Sequence, residues 1–380
     1  MIISFLGDIK IDSPSRIIMD PTLAEELDKS AVNQANLEAP IKGVNSKGIM
    51  KSGPQLFHQR GIIDLLLKNK ISLLSLANNH MMDYGEESLT FTKEIIEQQK
   101  GIAIGAGLWN EAYQVRFIET NGLKIGFLAV TQHEFGVLDE EQKGKSQVGT
   151  AWMLHPCIDE LIVKGRKQCD YLFVLPHAGI ENEYYPLPEL RTLYRHWINM
   201  GADGVFASHP HTPQGWEMYN NKPICYSLGN FCFENHSKSL PPYWNYGLMA
   251  QVSLQEGRVE ASIKYVRYDQ ENHQLSLTEE DGFCRHINEI NSNLHDAEQY
   301  VNEVNTYCDR LADYYDLAFA KGGYYKYTTK KFSVQLVKQI IGKRYKGNLN
   351  HALNNIRCEA HRWAIIRAWN NKIKKGDVSI

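Results

Sequence analysis

The chain has 380 residues, 43% of them hydrophobic and 22% charged, which is enough apolar sequence for a large buried core. Its seven cysteines show no C-x-x-C spacing, which argues against a disulfide framework and favours a reducing compartment. The sequence contains neither a signal-peptide pattern nor about 18 consecutive apolar residues, so we expect a cytoplasmic protein without a membrane span.

The first part of the chain alternates short apolar runs with amphipathic helical stretches, a pattern typical of an α/β or layered α+β domain. A closing hairpin is expected at 249–268, because apolar positions alternate on both sides of a Gly-containing turn. The other predicted strands cover 2–8, 72–78, 124–130, 171–177, 204–208 and 223–228. Several of them end in Asp, Asn or His, and ligands of such folds gather at the carboxyl ends of strands.

After residue 270 the pattern becomes helical. We expect one or two helices with an acidic face over 284–322, ended by the Gly322-Gly323 pair. Helical spacing of apolar residues recurs in 324–347, at Val334, Val337, Ile340 and Ile341, and again in 349–375. We therefore predict a domain over 1–270 and a mostly helical C-terminal region over 271–380.

The net charge of −3 conceals a basic tail, because residues 321–380 carry 14 Lys and Arg against two acidic residues. Such a tail suits an anionic membrane surface or a biosynthetic partner. Nucleic acid is less favoured, because the sequence contains no recognised binding motif. Packing of the basic helices against the acidic remainder of the chain is an equally good interpretation.

The segment "GVFASHPHT" (204–212) reads as a buried strand followed by two histidines that flank a proline. If the segment stays extended, as Pro210 would favour, the side chains of His209 and His211 point the same way. Two imidazoles directed at one point suggest a metal ligand pair.

Similar polar clusters occur elsewhere in the chain, several of them at the ends of predicted strands. Carboxylates, an amide oxygen and imidazoles form a suitable ligand set for one or two divalent transition metals. Each residue alone has a structural interpretation, such as a cap, a surface charge or a buried core histidine. The clusters are Gly7-Asp8, Asn36-Leu37-Glu38, Asn78-Asn79-His80, His177-Ala178-Gly179 and Ser208-His209-Pro210-His211.

The order of these clusters resembles that of the calcineurin-like metallophosphoesterases, and most closely their poly-gamma-glutamate capsule synthesis (CapA-type) branch. The resemblance extends over roughly residues 2–268. The blocks that carry it are "QANLEAPI" (34–41), "SLANNHMMDYGEESL" (75–89), "PHAGIENEY" (176–184) and "HPHTPQGWEMYNNKPICYSLGNFCFE" (209–234).

This resemblance implies a four-layer α-β-β-α metallophosphoesterase sandwich with a C-terminal helical extension. It implies one or two divalent metal ions (Mn, Fe or Zn), with Glu38 in the bridging position. A first site would use Asp8, Glu38 and His211, and a second Glu38, Asn79, His177 and His209. His80 would act beside the leaving group as general acid or transition-state stabiliser.

One departure from the broad phosphatase pattern concerns the Asp-x-His of the first strand, which is Asp8-Ile9-Lys10 in this chain. One imidazole ligand is therefore missing, although the CapA-type branch commonly lacks it too. The first metal site is left with fewer ligands than the second. Lys10 could point to the site, but we expect it to alternate outward.

Further candidates lie near these blocks. Asp83 could orient His80, and Glu181 could serve as a general base or as a partner of the ligands. Arg191 could bind an anionic group through both guanidinium nitrogens, or could simply lie on a helix surface. The substrate-binding candidates are Asn78, Ser227 and Asn230.

The resemblance implies a hydrolase for a phosphorylated or polymeric anionic substrate in the synthesis of a capsule, an exopolysaccharide or poly-gamma-glutamate. A non-hydrolytic role in polymer amide ligation or export is an alternative. A scaffold with a vestigial metal site is another, favoured by the missing imidazole.

Overall fold

The computed structural model describes residues 1–320, except 142, 146, 238 and 256, and residues 349–375. The strands within these residues are β1 (Ile2–Lys10), β2 (Ile18–Met19), β3 (Val32–Leu37), β4 (Ile71–Ser75), β5 (Ile102–Ile104), β6 (Ala106–Gly107), β7 (Arg116–Thr120), β8 (Leu123–Thr131), β9 (Val137–Leu138), β10 (Gly149–Ala151), β11 (Tyr171–His177), β12 (Gly204–Phe206), β13 (Trp216–Tyr219), β14 (Lys222–Cys225), β15 (Asn230–Phe233), β16 (Tyr246–Gln255), β17 (Arg258–Asp269) and β18 (Gln274–Thr278).

The helices within the same residues are α1 (Pro21–Asp28), α2 (Gly61–Lys68), α3 (Gly85–Gln98), α4 (Trp109–Ala112), α5 (Cys157–Arg166), α6 (Pro188–Met200), α7 (Asp281–His295), α8 (Ala297–Ala320), α9 (Leu349–Arg357) and α10 (Glu359–Lys375). Helix α1 shows why such segments begin where they do. The Asp20 carboxylate accepts a hydrogen bond from the Thr22 N–H and thereby caps the helix, and Pro21 occupies the first helical position, where no N–H is needed.

Two large sheets form the body of the protein. The first has the order β2-β18-β17-β16-β1-β3-β4-β5, with β15 paired to the far end of β1. The second has the order β13-β14-β12-β11-β8-β7. In both sheets the central strands run parallel, so their carboxyl ends lie along one edge. A small third sheet contains β6, β10 and β9.

The two large sheets pack face to face through aromatic side chains. Phe5 of β1 stacks on Phe206 of β12, with ring centroids 3.8 Å apart, and meets Phe173 of β11 edge to face at 5.1 Å. Each such buried ring contributes about 2 to 3 kcal/mol of hydrophobic stabilisation. This packing explains why β1, β8 and β11 are apolar at nearly every position.

Helices cover the outer face of each sheet. Leu66 of α2 and Ile96 of α3 pack in one apolar cluster with Leu74 of β4. Helices α5 and α6 pack against β11 and β12 on the other side, where Ile162 and Trp197 are buried. The four-layer α-β-β-α sandwich is therefore confirmed.

The predicted strands correspond to β1, β4, β8, β11, β12 and β14, and the hairpin corresponds to β16 and β17. Strand β12 ends at Phe206, two residues before the predicted end. Strand β3 was not predicted, because Asn33, Gln34 and Asn36 interrupt its apolar residues. Strands β7, β13, β15 and β18, which are only four or five residues long, and the two- and three-residue strands other than β12 were not predicted either.

The described chain forms two compact units, one of Met1–Ile49 with Gln55–Tyr300 and the other of Met50–Pro54 with the described residues from Val301 onward. The expected helices over 284–322 are α7 and α8, interrupted at Asp296. The predicted helix over 349–375 is α9 followed by α10. The domain boundary near residue 270 stays a prediction.

Within the second unit, basic and acidic side chains pair with each other. Lys372 of α10 lies 2.6 Å from an Asp316 carboxylate oxygen of α8, and the Asn371 amide donates to Asp309. No helix in 1–320 or 349–375 is long and apolar enough to cross a membrane. Gly322-Gly323, the apolar residues of 324–347 and most of the basic tail lie outside the described residues.

Candidate metal centre

The polar clusters predicted at strand ends meet at one edge of the two sheets. Asp8 pairs in register with Asn36 of β3 and with Asn230 of β15. The backbone of β1 can approach the backbone of Gly229 because residue 7 is glycine. A Cβ at residue 7 would lie 1.9 Å from the Gly229 carbonyl oxygen. Gly229 itself has φ +66° and accepts the Asp8 N–H at 2.9 Å. Two glycines therefore fix the position of the Asp8 carboxylate.

Glu38 lies at the centre of this edge and is fully buried. Neither of its carboxylate oxygens accepts a hydrogen bond in the described structure, although Oε1 lies 3.6 Å from both His177 Nε2 and His211 Nε2. A buried carboxylate without donors costs several kcal/mol unless a cation compensates its charge. The surroundings of Glu38 are therefore those of a metal ligand.

Two groups of ligand atoms share the Glu38 carboxylate. Glu38, His177 and His209 form one group, and Asp8, Glu38 and His211 form the other, with all atoms of each group within 4.8 Å of one another. Asn79 Oδ1 lies 3.0 Å from His177 Nε2 and can join the first group. These are the groups that the CapA-type resemblance implies, and imidazole with carboxylate and amide oxygen suits Mn, Fe or Zn. The donor set therefore fits one or two divalent cations.

Charge at this edge is unbalanced when the protein's own groups are considered alone. Burial and the neighbouring Asp8 carboxylate raise the pKa of Glu38 well above its ordinary value. Burial lowers the pKa of His177. Burial opposes the charged form of His211 as well, but the Glu38 and Asp8 carboxylates outweigh it and raise the pKa of that ring. The cluster holds excess negative charge that a cation would neutralise.

Hydrogen bonds orient the imidazoles toward Glu38. His211 Nδ1 lies 3.0 Å from Asn230 Oδ1, and because an amide oxygen only accepts, the proton of this ring lies on Nδ1. Its Nε2 lone pair then faces Glu38. The Asn230 amide also donates to the carbonyls of His211 and Trp244. Asn230, predicted to bind substrate, is thus placed as a support for His211.

His80 and Asp83 form a dyad, and His80 directly follows the candidate ligand Asn79 in the chain. His80 Nδ1 lies 2.7 Å from Asp83 Oδ2, which also accepts the Leu56 N–H at 2.7 Å. Asp83 is fully buried and His80 is nearly so. The dyad has the geometry predicted for an oriented acid, and the catalytic roles of both residues stay predictions.

Two other residues that were predicted to bind substrate form hydrogen bonds with the strand ends. Asn78 donates to Asn36 Oδ1 at 3.1 Å and to the Leu37 carbonyl at 2.9 Å. The Ser227 hydroxyl oxygen accepts the Gly229 N–H at 3.1 Å. Both side chains support the strand ends, and the structure places neither in contact with the Glu38 carboxylate.

Arg191 lies elsewhere in the first unit. Its guanidinium pairs with Glu217 at 3.0 Å and lies 4.8 Å from the ring centroid of Tyr300. Glu181, in contrast, is exposed on the loop after β11, and its charge acts on Glu38, His177 and His211. Glu181 is therefore within electrostatic range of the metal centre, whereas Arg191 is engaged by Glu217.

Two expectations about backbone direction were wrong. The segment at 209–211 is not extended, because His209 and His211 have φ of +104° and +59°. Their rings reach Glu38 through a left-handed turn rather than through strand alternation. Lys10 does not point outward, because its side chain is 9% exposed and its ammonium lies 2.6 Å from Asp12. An irregular register at Asp8 and Ile9, where β1 pairs with β15, breaks the alternation.

Sequence reasoning missed two residues at this edge and gave a third no role of its own. That third residue is Asn36, named in one of the polar clusters, which donates to Asp8 Oδ1 at 2.8 Å. Gln132 and Glu134 follow β8 and contact His209, with Gln132 Nε2 at 2.9 Å and Glu134 Oε1 at 3.8 Å from its Nε2. The end of the predicted strand at 124–130 was a usable signal, because it is the one central strand for which no polar cluster was named.

The N-terminal part of the sequence is similar to capsule synthesis proteins. A family described as bacterial capsule synthesis protein PGA_cap matches residues 3–235. The PGA biosynthesis protein CapA of Bacillus subtilis (strain 168) is 30% identical over 178 residues, which are 45% of this chain and 45% of that protein. The capsule biosynthesis protein CapA of Bacillus anthracis is 26% identical over 204 residues, 52% of this chain and 49% of that protein. The chain spans about half the length of these curated relatives.

Solved structures with remote similarity include a hypothetical protein from Thermus thermophilus, with 16% identity and a TM-score of 0.44, covering 70% of this chain and 98% of that one. The calcineurin-like phosphoesterase YfkN from Bacillus subtilis has 14% identity and a TM-score of 0.40, covering 69% of this chain and 90% of that one.

Proposed function

Because the chain belongs to the bacterial capsule synthesis protein family PGA_cap, we propose that it is a metal-dependent, phosphoesterase-like hydrolase that acts in capsule, exopolysaccharide or poly-gamma-glutamate biosynthesis. The observation that carries the proposal is the Glu38 carboxylate, buried without a hydrogen-bond donor between two groups of ligand atoms. A structural glutamate in this position would be expected to have donors.

The residues that would hold the metals are Asp8, Glu38 and His211 on one side and Glu38, Asn79, His177 and His209 on the other. When bound, divalent cations supply Lewis acidity for a water nucleophile and offset negative charge on the phosphoryl oxygens. Asn36 holds Asp8 and Asn230 holds His211, so the ligands are oriented before a metal binds.

His80 would supply the proton that the leaving oxygen needs. Asp83 accepts from Nδ1 and so directs the second ring nitrogen, Nε2, away from the dyad. An imidazole held in this way donates from Nε2 to the departing oxygen as the phosphorus–oxygen bond breaks. Because Asp83 is also bound to the Leu56 N–H, it keeps its orientation while His80 changes protonation state.

The substrate class, the partners and the compartment are parts of the same proposal. We propose a phosphorylated or polymeric anionic substrate, and a cytoplasmic location, peripheral to a membrane if the basic tail binds its anionic surface. The phosphoester is preferred over an amide because the candidate ligand groups are those that the resemblance to metallophosphoesterases implies.

The test is elemental analysis of protein purified without added metal or chelator, beside an Asp8→Ala/His177→Ala double variant. A matched control is Asp159→Ala/His196→Ala, which removes the same residue types from an exposed ion pair of α5 and α6. We expect one to two equivalents of Mn, Fe or Zn in the wild type and the control, and none in the double variant. Hydrolysis of phosphomonoesters, phosphodiesters and glutamyl amides would then be measured with that metal.

The outcomes separate the three interpretations. Metal-dependent phosphoester hydrolysis that is lost in the double variant supports the proposal. Turnover of glutamyl amides alone would move the chain to amide chemistry. If the wild type neither contains metal nor binds it on reconstitution, the hydrolase proposal fails and the scaffold interpretation replaces it.

A further inference from the structure

His155, Cys157 and Glu140 form a hydrogen-bonded row at the start of α5, and none of them is a candidate metal ligand. His155 Nδ1 lies 2.9 Å from the Cys157 sulfur, and His155 Nε2 lies 2.9 Å from Glu140 Oε1. The His155 side chain is 2% exposed, whereas Cys157 is partly exposed. A buried imidazole therefore connects a partly exposed thiol with a carboxylate.

Two contacts place the proton of the neutral His155 ring on Nε2. The hydrogen bond from Lys143 lowers the pKa of Glu140, and the ionised carboxylate can only accept, so Nε2 is the donor to it. The Cys157 backbone N–H donates to Nδ1 at 3.2 Å, so Nδ1 carries the lone pair. The Cys157 sulfur lies on the same side of the ring. The ring is therefore in the tautomer that can accept the thiol proton.

The surroundings of His155 keep the ring in this orientation. Trp109 meets the imidazole edge to face with ring centroids 5.1 Å apart, and the Tyr113 ring lies at 5.0 Å. Lys143 Nζ lies 3.2 Å from Glu140 Oε1 and 5.4 Å from the ring centroid of Trp109. Packing and charge thus hold the base beside the thiol before any reaction begins.

A base changes what this thiol can do. Burial raises the pKa of Cys157 to about 11, so the sulfur keeps its proton at neutral pH. The thiolate is the nucleophile, and such a thiol reacts slowly unless a neighbouring base removes the proton. Cys169 offers a comparison within the chain, because it is also partly exposed and burial also raises its pKa. Its sulfur donates to the Gly165 carbonyl at 3.2 Å, which cannot act as a base.

We propose that Cys157 is a nucleophilic thiol that exchanges with disulfides, with His155 as its general base and Glu140 as the positioning residue. The Cys157 sulfur attacks one sulfur of the disulfide while its proton passes to His155 Nδ1, and the Glu140 carboxylate stabilises the imidazolium. A bond forms between the two sulfurs, the sulfur–sulfur bond of the reagent breaks, and the leaving sulfur takes the proton from Nδ1. Each mixed disulfide releases one thiol, so the disulfide is the only oxidant. The site is one of reversible modification and does not depend on the proposed metal centre.

The experiment compares two cysteines of the same molecule. The full chain is treated at neutral pH with the uncharged disulfide of mercaptoethanol, and the mixed disulfide at each cysteine is quantified by peptide mass spectrometry after quenching with acid. We expect Cys157 to react about 100-fold faster than Cys169, because a positioned base typically contributes an acceleration of this size.

The variant His155→Gln separates a base from a helix cap. The glutamine amide oxygen can still accept the Cys157 N–H but cannot take up a proton, so the rate at Cys157 should fall to that of Cys169. We expect Glu140→Gln to slow Cys157 severalfold. The matched control is Glu160→Gln, which removes another negative charge that acts on Cys157 without touching His155, and its rate should be nearly unchanged.

Each outcome supports or overturns the inference. Equal rates at Cys157 and Cys169 in the wild type, or an unchanged Cys157 rate in His155→Gln, would mean that His155 only caps α5. Equal losses in Glu140→Gln and Glu160→Gln overturn the positioning role of Glu140, because charge alone would explain them. A faster reaction of Cys169 in His155→Gln would show that α5 has opened. The comparison of Glu140→Gln with Glu160→Gln, which changes only exposed side chains, then decides.

Discussion

Glu38 and Glu217 are both buried glutamates in the first unit, and their surroundings differ completely. Glu217 accepts from the Arg195 guanidinium at 2.6 Å through two nitrogens, from Arg191 at 3.0 Å and from the Tyr226 hydroxyl. Burial opposes its charge, but the hydrogen bonds from Arg195, Tyr226 and Arg191 lower the pKa of Glu217 to about 2. Burial and Asp8 raise the pKa of Glu38 instead.

The comparison shows how a buried carboxylate that stabilises a fold differs from one suited to a metal. The chain surrounds Glu217 with its own cations, so ionisation of Glu217 stabilises the folded state. Around Glu38 the chain places a second carboxylate and imidazoles. Ionised Glu38 therefore destabilises the folded state unless a cation binds. Substitutions at the two residues should therefore have opposite effects on stability and on metal binding.

The largest expected effect is the loss of metal binding in Glu38→Gln. A neutral amide cannot replace a carboxylate shared by two ligand groups, so we expect affinity to fall by about 1,000-fold or more. The metal-free variant should be about 1 to 3 kcal/mol more stable than the metal-free wild type, because an uncompensated buried charge is gone. Calorimetric metal titration and urea unfolding measure the two effects. Exposed Glu119→Gln is the control, and a less stable metal-free Glu38→Gln would contradict the comparison.

Glu217→Gln should have the opposite profile. It leaves two arginines without their anion, so we expect the free energy of unfolding to fall by about 3 kcal/mol. Metal affinity should equal that of the wild type, because Glu217 contacts none of the candidate ligands in the described structure. Urea unfolding with a metal titration of the folded variant checks both statements. An unchanged free energy of unfolding in Glu217→Gln would contradict this prediction, because it would mean that water satisfies the two arginines.

A pH scan sharpens the same point. The pKa of Glu217 is about 2 in the folded protein and near 4.5 when unfolded, so its stabilisation is complete above about pH 4.5. As pH falls from about 4.5 to about 2 this contribution, about 3 kcal/mol, is lost. Glu217→Gln should therefore lose less stability than the wild type over this window. If the free energy of unfolding depended on pH equally in the two proteins, the ion pairs of Glu217 would not be the cause.

Adding metal should stabilise the wild type and not Glu38→Gln. At a free metal concentration of 100 times Kd, binding to the folded state alone adds about 2.7 kcal/mol. Thermal unfolding with and without the metal, and again after chelation, measures the shift. An equal shift in Glu38→Gln would mean that the metal binds elsewhere.

The smallest effect is expected for Lys10→Met, which removes one partner of a partly exposed ion pair. Lys10 pairs with Asp12, whose side chain is 45% exposed, so the pair is partly screened by water. We expect a loss of about 1 kcal/mol in unfolding free energy and unchanged metal affinity. A large loss of affinity would mean that Lys10 belongs to the metal centre.

The sequence predicted the parts of the site that follow apolar runs, because Asp8, Asn79, His177 and His209 each belong to a short polar cluster after such a run. Glu38 follows the polar strand β3, and its place in the site was implied by the "QANLEAPI" block of the resemblance. The supports of the site were less visible. Gln132 and Glu134 are single polar residues in a loop, and their partner His209 is distant in the sequence. The pairing of Arg191 with Glu217 was equally hidden, because a helix arginine and a strand glutamate each look like ordinary surface residues.

Strand β1 also constrains the order in which the protein can fold. Its first residues pair with β16, where Ile2 meets Ser253, and its last residues pair with β15, where Asp8 meets Asn230. Asp8 is synthesised well before these partners, yet its position is fixed only when they too have left the ribosome. Such distant pairings close slowly. The group of Asp8, Glu38 and His211 is therefore completed late in the synthesis of this unit, after the chain already includes β15.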